Sequence, residues 1–185
     1  MQTSDRFEIC WPYVLAQECP HPALWSNGAN FSNDAHDPGG ETMCGVTQRE
    51  YTRFRNARGL TSQDVRKITE DEGRYIYFNS YWLPKCPSLL DGFDLCFFDP
   101  NVNEGEHQST KILQYVLGCT IDGEWGPVTQ FAFNAFRGTI TELINQFTAR
   151  RKAVYEEMPG FKYFGTDWLR RADEIAKAAI GMTTA

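Results

Sequence analysis

Asn33–Gly45 has the sequence NDAHDPGGETMCG and overlaps an irregular segment, residues 19–42, that is rich in Pro, Gly, Asn, Asp and Ser. Asp37 precedes Pro38, which restricts Asp37 to an extended or turn conformation. The two glycines that follow allow tight backbone geometry and the close approach of a ligand. A turn can bring the Thr42 hydroxyl near the Asp37 carboxylate, and such a pair can hold and activate a water. The alternative is an ordinary turn with a solvated Asp37.

Helical patterns lie on both sides of this segment. Before it, apolar residues at helical spacing predict a helix over residues 7–18, which Pro20 and Pro22 end. After it, the same spacing predicts helices over residues 51–58, 62–77, 89–98, 109–117, 128–136, 139–158 and from Asp167 onward. Strand signals are few. The sequence therefore predicts a mainly α fold with one loop-rich lobe, containing a short hairpin, near the amino terminus.

Composition restricts the class of protein. The 185 residues are 42% hydrophobic and 14% aromatic, which excludes disorder over the whole length. No apolar run approaches the roughly 18 residues that a membrane span needs, so we expect no membrane insertion. The net charge of −6 argues against attraction to nucleic acid. The amino terminus lacks the order of a signal peptide, so we expect synthesis in the cytosol and any export by another route.

Six cysteines raise the questions of metal binding and of pairing. They are Cys10, Cys19, Cys44, Cys86, Cys96 and Cys119. None forms a C-x-x-C pair, and no histidine stands beside them at zinc-ligand spacing, so we expect no metal. In a cytosolic protein they would be buried thiols, whereas outside the cytoplasm some could pair. The sequence leaves both alternatives open.

Glu18 is a candidate for acid chemistry. It lies one turn beyond Val14 and Leu15, on the apolar side of the first predicted helix. Partial desolvation there would favour the protonated carboxyl. That state is the one a general acid needs for glycosidic cleavage. The alternative is a glutamate at a helix end whose carboxylate reaches water.

Five motifs, in this order, resemble glycoside hydrolase family 108, whose members are lysozyme-like N-acetylmuramidases common among phage endolysins and prophage lysis genes. The Asp37-Pro-Gly-Gly-Glu-Thr42 core is similar to the family's Asp-Pro-Gly-Gly-x-Thr. The other four are Tyr81–Pro84, Phe97–Asn103, Ile121–Thr129 and Phe161–Ala176. The resemblance covers nearly the whole chain. It implies a lysozyme-like catalytic region over residues 1–108 and a helical, peptidoglycan-binding-like region over residues 109–185 packed on it, or one compact domain.

The resemblance also implies roles for residues. Glu18 matches the catalytic glutamate at the end of the first helix, Asp37 the second acidic residue, and Thr42 the third member of a lysozyme-like triad. Two features depart from the family. Cys19-Pro-His21 replaces Gly-Gly-Tyr after the glutamate, and Asp37 follows Glu18 by 19 positions, which is farther than in the family.

The longer separation reflects an insertion around His21–Asn30, which contains Trp25 and Gly28. A surface insertion costs little chain entropy for each added residue, so it could fold away as a flap. It could also reshape the cleft or signal lost catalysis. The sequence leaves these alternatives open.

Further residues are candidates for substrate binding. They are Glu41, Tyr81, Trp82 and Asn103. For the two aromatic residues, a place in the core is at least as good an interpretation. Asp34 and Glu41 are rival carboxylates in the loop, and His36 is a rival general base. The Asp122–Thr129 element either contacts peptidoglycan or forms a Gly-Pro turn that starts a helix.

The resemblance therefore predicts a muramidase that cleaves the β-1,4 bond between N-acetylmuramic acid and N-acetylglucosamine. Glu18 would protonate the leaving oxygen, while Asp37 and Thr42 orient a water on the opposite face of the sugar. The expected partner is bacterial peptidoglycan. We expect a monomer without a cofactor or a metal. An endolysin would accumulate in the host cytoplasm and act in the periplasm, and a virion-associated lysin is the alternative.

Two other classes of function stay open. A non-catalytic cell-wall-binding or phage structural module would keep the fold, and the insertion and the missing glycines motivate it. A lytic transglycosylase would use a lone glutamate and release anhydro-muramyl ends. Asp37 and Thr42 argue against the second class, and the mass of the products distinguishes all three.

Overall fold

The computed structural model describes residues 5–19, 25, 30–33 and 40–183. Within these ranges the chain forms eight α-helices and a small three-stranded sheet, divided between two compact units, Met1–Pro84 and Lys85–Ala185. The prediction of a mainly α fold with a small β lobe near the amino terminus is confirmed. No helix in the described ranges is long and apolar enough to cross a membrane.

The first unit contains three helices and the sheet. Its regular elements are α1 (Asp5–Glu18), β1 (Phe31–Ser32), β2 (Thr42–Met43), β3 (Val46–Thr47), α2 (Gln48–Ala57), a 3-10 turn (Val65–Lys67), α3 (Glu70–Tyr77) and a π-helical turn (Phe78–Trp82). The strands are antiparallel in the order β1-β2-β3, with Phe31 opposite Met43 and Thr42 opposite Thr47. The sheet therefore pairs residues 31–32 with residues 42–43, on either side of the segment that contains Asp37.

An aromatic core holds the first unit together. Phe7 and Trp11 on α1 are buried, and Phe7 packs edge-on against Trp82 at 5.7 Å between ring centroids. Trp11 packs in the same way against Tyr77 at 4.6 Å. Such edge-to-face pairs add to the stabilisation from apolar burial. The helical spacing read from the sequence of α1 thus reflects packing against α3 and the π-helical turn.

The predicted helix over residues 62–77 is two elements in the structure. Asp64 caps the short 3-10 turn, where its carboxylate accepts from the Arg66 amide at 2.9 Å. Thr69 and Glu72 then form a reciprocal capping box that starts α3 at Glu70. The second cap satisfies amide groups that would otherwise lack partners at a helix start. It separates the two elements despite their common apolar spacing.

The second unit is entirely helical in its described residues. It contains a 3-10 turn (Cys86–Ser88), α4 (Phe93–Asn103), α5 (Glu106–Leu117), α6 (Pro127–Ala135), α7 (Ile140–Glu156) and α8 (Phe161–Met182). The predicted boundary after residue 108 falls inside α5. The predicted start of the last helix at Asp167 is late, because Gly160 stands at its N-cap and α8 begins with Phe161.

A buried ion network joins three helices of the second unit. Asp99 on α4 is fully buried and contacts Arg151 on α7 and Arg171 on α8, each at 2.8 Å. Arg151 also donates to Glu104 at 2.7 Å. Burial by itself would raise the pKa of Asp99, but the two arginines outweigh burial and lower it. The network is therefore a set of mutually compensated charges.

Candidate active site

Glu18 is the last residue of α1, is half-buried, and lies against the turn between β2 and β3. Gly45 in that turn has a φ of 74°. A Cβ atom built on Gly45 would lie 2.9 Å from Oε2 of Glu18 and would overlap the hydroxyl of Tyr77. Only glycine leaves room for both side chains and adopts this backbone without strain. The helix end and the turn are therefore in direct contact.

Two links hold this turn in place, one to the residue that follows α1 and one to the end of α3. Cys19, directly after Glu18, forms a disulfide with Cys44, directly before Gly45, and their Cα atoms are 4.5 Å apart. The hydroxyl of Tyr77 donates to the backbone oxygen of Cys44 at 2.9 Å. The sequence left the pairing of cysteines open. The structure pairs these two, while Cys10, Cys86, Cys96 and Cys119 remain thiols.

Tyr81 contacts a buried carboxyl, that of Glu50. Tyr81 is half-buried in the π-helical turn and donates to Oε2 of Glu50 at 2.9 Å. Glu50, on the first turn of α2, is only 9% exposed, and burial raises its pKa. Burial first, then Glu50 and finally the charge of Glu18 raise the pKa of Tyr81. Tyr81 therefore lies within the electrostatic reach of both glutamates.

Thr42 lies on β2 of the sheet that carries this turn, and Glu41 directly precedes that strand. Thr42, on β2, is half-buried, and the Glu41 carbonyl accepts from the Gln48 amide at 2.8 Å. The Glu41 carboxylate accepts from the Asn33 side chain at 3.5 Å. Asp37, the predicted partner of Thr42, lies outside the described residues, as do Asp34 and His36. The structure thus brings Glu18, Thr42 and Tyr81 into one unit.

The remaining predicted binding residues have other surroundings. Trp82 is fully buried against Phe7, so its ring has no exposed surface for a sugar, and the core interpretation applies. Asn103 belongs to the second unit, where its side chain donates to the Tyr155 hydroxyl at 3.2 Å and accepts from Arg171 at 3.4 Å. These contacts tie Asn103 to the buried ion network.

One residue of the insertion is fixed in the core of the first unit. Trp25 is 3% exposed and packs against Trp11 at 6.2 Å between ring centroids. A Cβ atom on Gly73 of α3 would overlap the Trp25 ring, so this glycine leaves the space that the ring fills. Trp25 therefore anchors the insertion to α1 and α3. His21 and Gly28 lie outside the described residues.

The Asp122–Thr129 element is organised around the buried side chain of Gln114. The Gln114 amide donates to Asp122 at 2.7 Å and to the Thr129 hydroxyl at 2.9 Å, and its oxygen accepts from the Gly123 amide at 2.8 Å. These bonds close the turn that leads into α6. They account for the motif as a turn that starts a helix.

Sequence reasoning missed Tyr77 and Glu50. Glu50 follows Thr47 by three positions, and Thr47 caps α2 by accepting from the Glu50 amide at 3.1 Å. The pattern is that of a capping box, which predicts an exposed carboxyl at a helix start. Its burial depends on the distant residue Tyr81. No local sequence signal contains that contact.

The chemistry available here is that of a carboxyl. Among the described residues, no three His, Cys, Asp or Glu side chains are grouped so that they could hold a metal ion. A half-buried glutamate against a glycine turn, with two tyrosines and a threonine-bearing strand nearby, can hold and donate a proton. Proton donation by a carboxyl is the chemistry that hydrolysis of a glycosidic bond uses.

Comparisons with known proteins indicate the class of enzyme. Residues 23–105 match the family model described as Glycosyl hydrolase 108. A solved structure described as that of Brucella abortus SagA is similar to this chain, with a TM-score of 0.73 and 25% identity over 92% of this chain and 96% of that one. No curated protein sequence matches. The chain is a glycoside hydrolase, and both similarities support family 108.

The family match covers some of the candidate residues and leaves out others. It includes Asp37, Thr42, Glu50 and Tyr81, and begins after Glu18. The candidate role of Glu18 therefore depends on its place in the fold. The lysozyme-like fold class predicted from the sequence is confirmed by the similar structure.

Proposed function

We propose that this protein is an N-acetylmuramidase that cleaves the β-1,4 bond between N-acetylmuramic acid and N-acetylglucosamine in bacterial peptidoglycan. The family match supports peptidoglycan hydrolysis in general. The observation that carries the more specific proposal is the position of Glu18 at the end of α1, in contact with a turn where only glycine fits. This contact holds the half-buried carboxyl at the end of the helix.

In the proposed mechanism, protonated Glu18 donates to the glycosidic oxygen as the bond to the muramic acid carbon breaks. Asp37, together with the Thr42 hydroxyl, orients a water for attack on the opposite face of the ring. As the water oxygen bonds to the muramic acid carbon it gives one proton to Asp37 and keeps the other, and the product has an inverted anomeric configuration. Inversion requires the two carboxyls to be about 6.5–9.5 Å apart. No metal or organic cofactor takes part.

We further propose that the protein is a phage or prophage endolysin that acts as a monomer. It would accumulate in the host cytoplasm and reach the cell wall after release, and a virion-associated lysin is the alternative. The Cys19–Cys44 disulfide supports action outside the cytoplasm, because disulfides persist in oxidising compartments. The helical region over residues 109–185 would add contacts to peptidoglycan.

Digestion of purified Gram-negative sacculi, with the released muropeptides read by mass spectrometry, tests the proposal. Wild-type protein should release ordinary reducing muramic ends. Glu18→Gln keeps the shape of the side chain but cannot donate the proton, so its rate should fall by at least about 100-fold. Glu70→Gln, which alters an exposed carboxyl on the first turn of α3 outside the proposed mechanism, should keep most of the activity.

Other results would replace the proposal with a named alternative. Full activity of Glu18→Gln would remove Glu18 from the mechanism. Anhydro-muramyl ends would identify a lytic transglycosylase. Binding of folded wild-type protein to sacculi without any released product would identify a non-catalytic wall-binding module.

A further inference from the structure

We propose that Glu50 is a positioning residue of the hydrolytic site: it accepts the hydrogen bond of the Tyr81 hydroxyl and so keeps the proton of that hydroxyl directed away from Glu18. The proposal rests on the proposed function, in which Glu18 is the general acid. Glu50 itself would touch neither the sugar nor the attacking water.

The geometry links the two glutamates through tyrosine side chains. Tyr77 and Tyr81 lie one turn apart with ring centroids separated by 5.6 Å. Tyr77 lies at the Gly45 turn together with Glu18, and Tyr81 reaches Glu50 on α2. The first unit thus contains a continuous set of side chains from the end of α1 to the start of α2.

The direction of the hydrogen bond gives the pair its function. A tyrosine hydroxyl has a single proton to donate, and two lone pairs that accept. In the structure that proton is directed to Oε2 of Glu50. Towards any other neighbour, Tyr81 then offers only its lone pairs. A tyrosine that accepts and does not donate is compatible with a general acid that must itself carry a proton.

Burying the Glu50 carboxyl costs free energy of folding, and a role in positioning Tyr81 accounts for its burial. A buried carboxylate loses its hydration, and its nearest basic partner, Arg53, is 3.6 Å away and 76% exposed on its side chain. The groups that face Glu50 are Arg49 and Arg53 on α2, and Ser80 and Tyr81 on the π-helical turn, with Glu18 beyond Tyr81. Their combined effect leaves the pKa of Glu50 raised, because burial dominates.

A stability measurement separates positioning from a structural role. If Glu50 served the fold, Glu50→Gln would lower the unfolding temperature. Because burial disfavours the charged form, we expect Glu50→Gln to unfold at the same temperature as wild type or higher at pH 7. Residues that cost stability for the sake of activity show this combination of effects.

The kinetic test uses solubilised peptidoglycan strands and compares Glu50→Gln, Tyr81→Phe and the double variant with wild type. Each single variant should lower kcat by about tenfold or more, with KM nearly unchanged, because the lost interaction acts on the acid and not on substrate binding. The double variant should lose no more than the stronger single variant, since both changes break one interaction. Wild-type kcat should also fall in acid as Glu50 is protonated, and Glu50→Gln should lack that component.

Glu72→Gln is the matched control. Glu72 accepts from the Tyr51 hydroxyl at 2.9 Å in the same unit, and glutamine preserves its role in the capping box. Its kinetics should match those of wild type.

The outcomes keep this proposal distinct from the proposed function. If Glu18→Gln is inactive while Glu50→Gln retains full kcat, the positioning role is wrong and the general acid stands. If Glu18→Gln is fully active, Glu18 is not the general acid of the proposed function, and the positioning role fails with it. Additive losses in the double variant, or a lower unfolding temperature of Glu50→Gln, would also overturn the positioning role.

Discussion

Gly45 allows Glu18 and Tyr77 to approach the β2–β3 turn because it has no side chain. Its φ of 74° belongs to the left-handed region, and the space where a Cβ atom would lie is bounded by Glu18 and Tyr77. Both features restrict the position, but they have different consequences. Backbone strain alone reduces stability, whereas a collision with Glu18 also displaces the proposed acid.

Gly45→Ala should therefore lose most of its activity as well as some stability. The added methyl group must move Glu18 or the Tyr77 hydroxyl, and displacements of about 1 Å at a reacting group can cost 100-fold in rate. Initial rates on sacculi, corrected for the folded fraction by circular dichroism, measure the loss. Gly59→Ala is the matched control, since Gly59 also has a positive φ of 68° but has open space where its Cβ atom would lie. Equal losses in both variants would mean that strain alone is responsible.

At the scale of elements, the disulfide connects the end of α1 to the β2–β3 turn. It closes a loop with a sequence separation of 25, which contains the insertion and the segment with Asp37. A cross-link that closes a loop of this length lowers the entropy of the unfolded chain by an amount worth about 3 kcal/mol. The disulfide thus stabilises the folded first unit relative to its unfolded chain.

Replacing Cys19 and Cys44 together by serine should lower the free energy of unfolding by about 3 kcal/mol and reduce activity, because Glu18 and Gly45 are no longer tied. Denaturant unfolding with and without dithiothreitol measures the effect. Reductant should destabilise wild type and leave the double variant unchanged. Cys119→Ser removes a thiol of the second unit and should respond to reductant as wild type does. An unchanged wild-type midpoint in reductant would contradict a stabilising disulfide.

The sequence predicted the elements better than the contacts between them. Apolar spacing found α1 because Phe7, Trp11 and Val14 form one buried stripe, and such stripes are local signals. Glu18 was a candidate for the same reason, as its position is determined by that helix. Glu50 was missed, because a capping pattern explains it locally and only a long-range contact with Tyr81 buries it. Long-range polar contacts leave no periodic trace in a sequence.

The whole molecule has two units that are stabilised differently. The first has an aromatic core and a disulfide, and the second has an apolar core crossed by the Asp99, Arg151 and Arg171 network. A buried ion network gives little net stability when intact, but breaking it leaves uncompensated charge. Single substitutions in the network should therefore be far more damaging than substitutions in exposed ion pairs between the same helices.

Asp99→Asn tests this difference. It leaves two buried arginines without their shared carboxylate, so we expect the free energy of unfolding of the second unit to fall by about 3–5 kcal/mol. Asp173→Asn is the control, because it breaks the exposed pair between Asp173 on α8 and Lys152 on α7, at 2.9 Å, which should cost at most about 1 kcal/mol. Thermal unfolding followed by calorimetry separates the two outcomes.

The pH dependence of stability provides a second test of the role of Asp99. The pKa of Asp99 is lower in the folded protein than in the unfolded chain, so the stability that Asp99 contributes is present above the ordinary aspartate pKa of about 4. It is lost as the pH falls from there through the lowered value, because the unfolded chain then binds a proton that the folded protein still excludes. Wild type and Asp173→Asn should both lose this increment between neutral pH and acid, whereas Asp99→Asn, which has no carboxyl at this position, should lack that part of the acid dependence. Parallel pH profiles for all three proteins would show that Asp99 is not the carboxylate that links the second unit to pH.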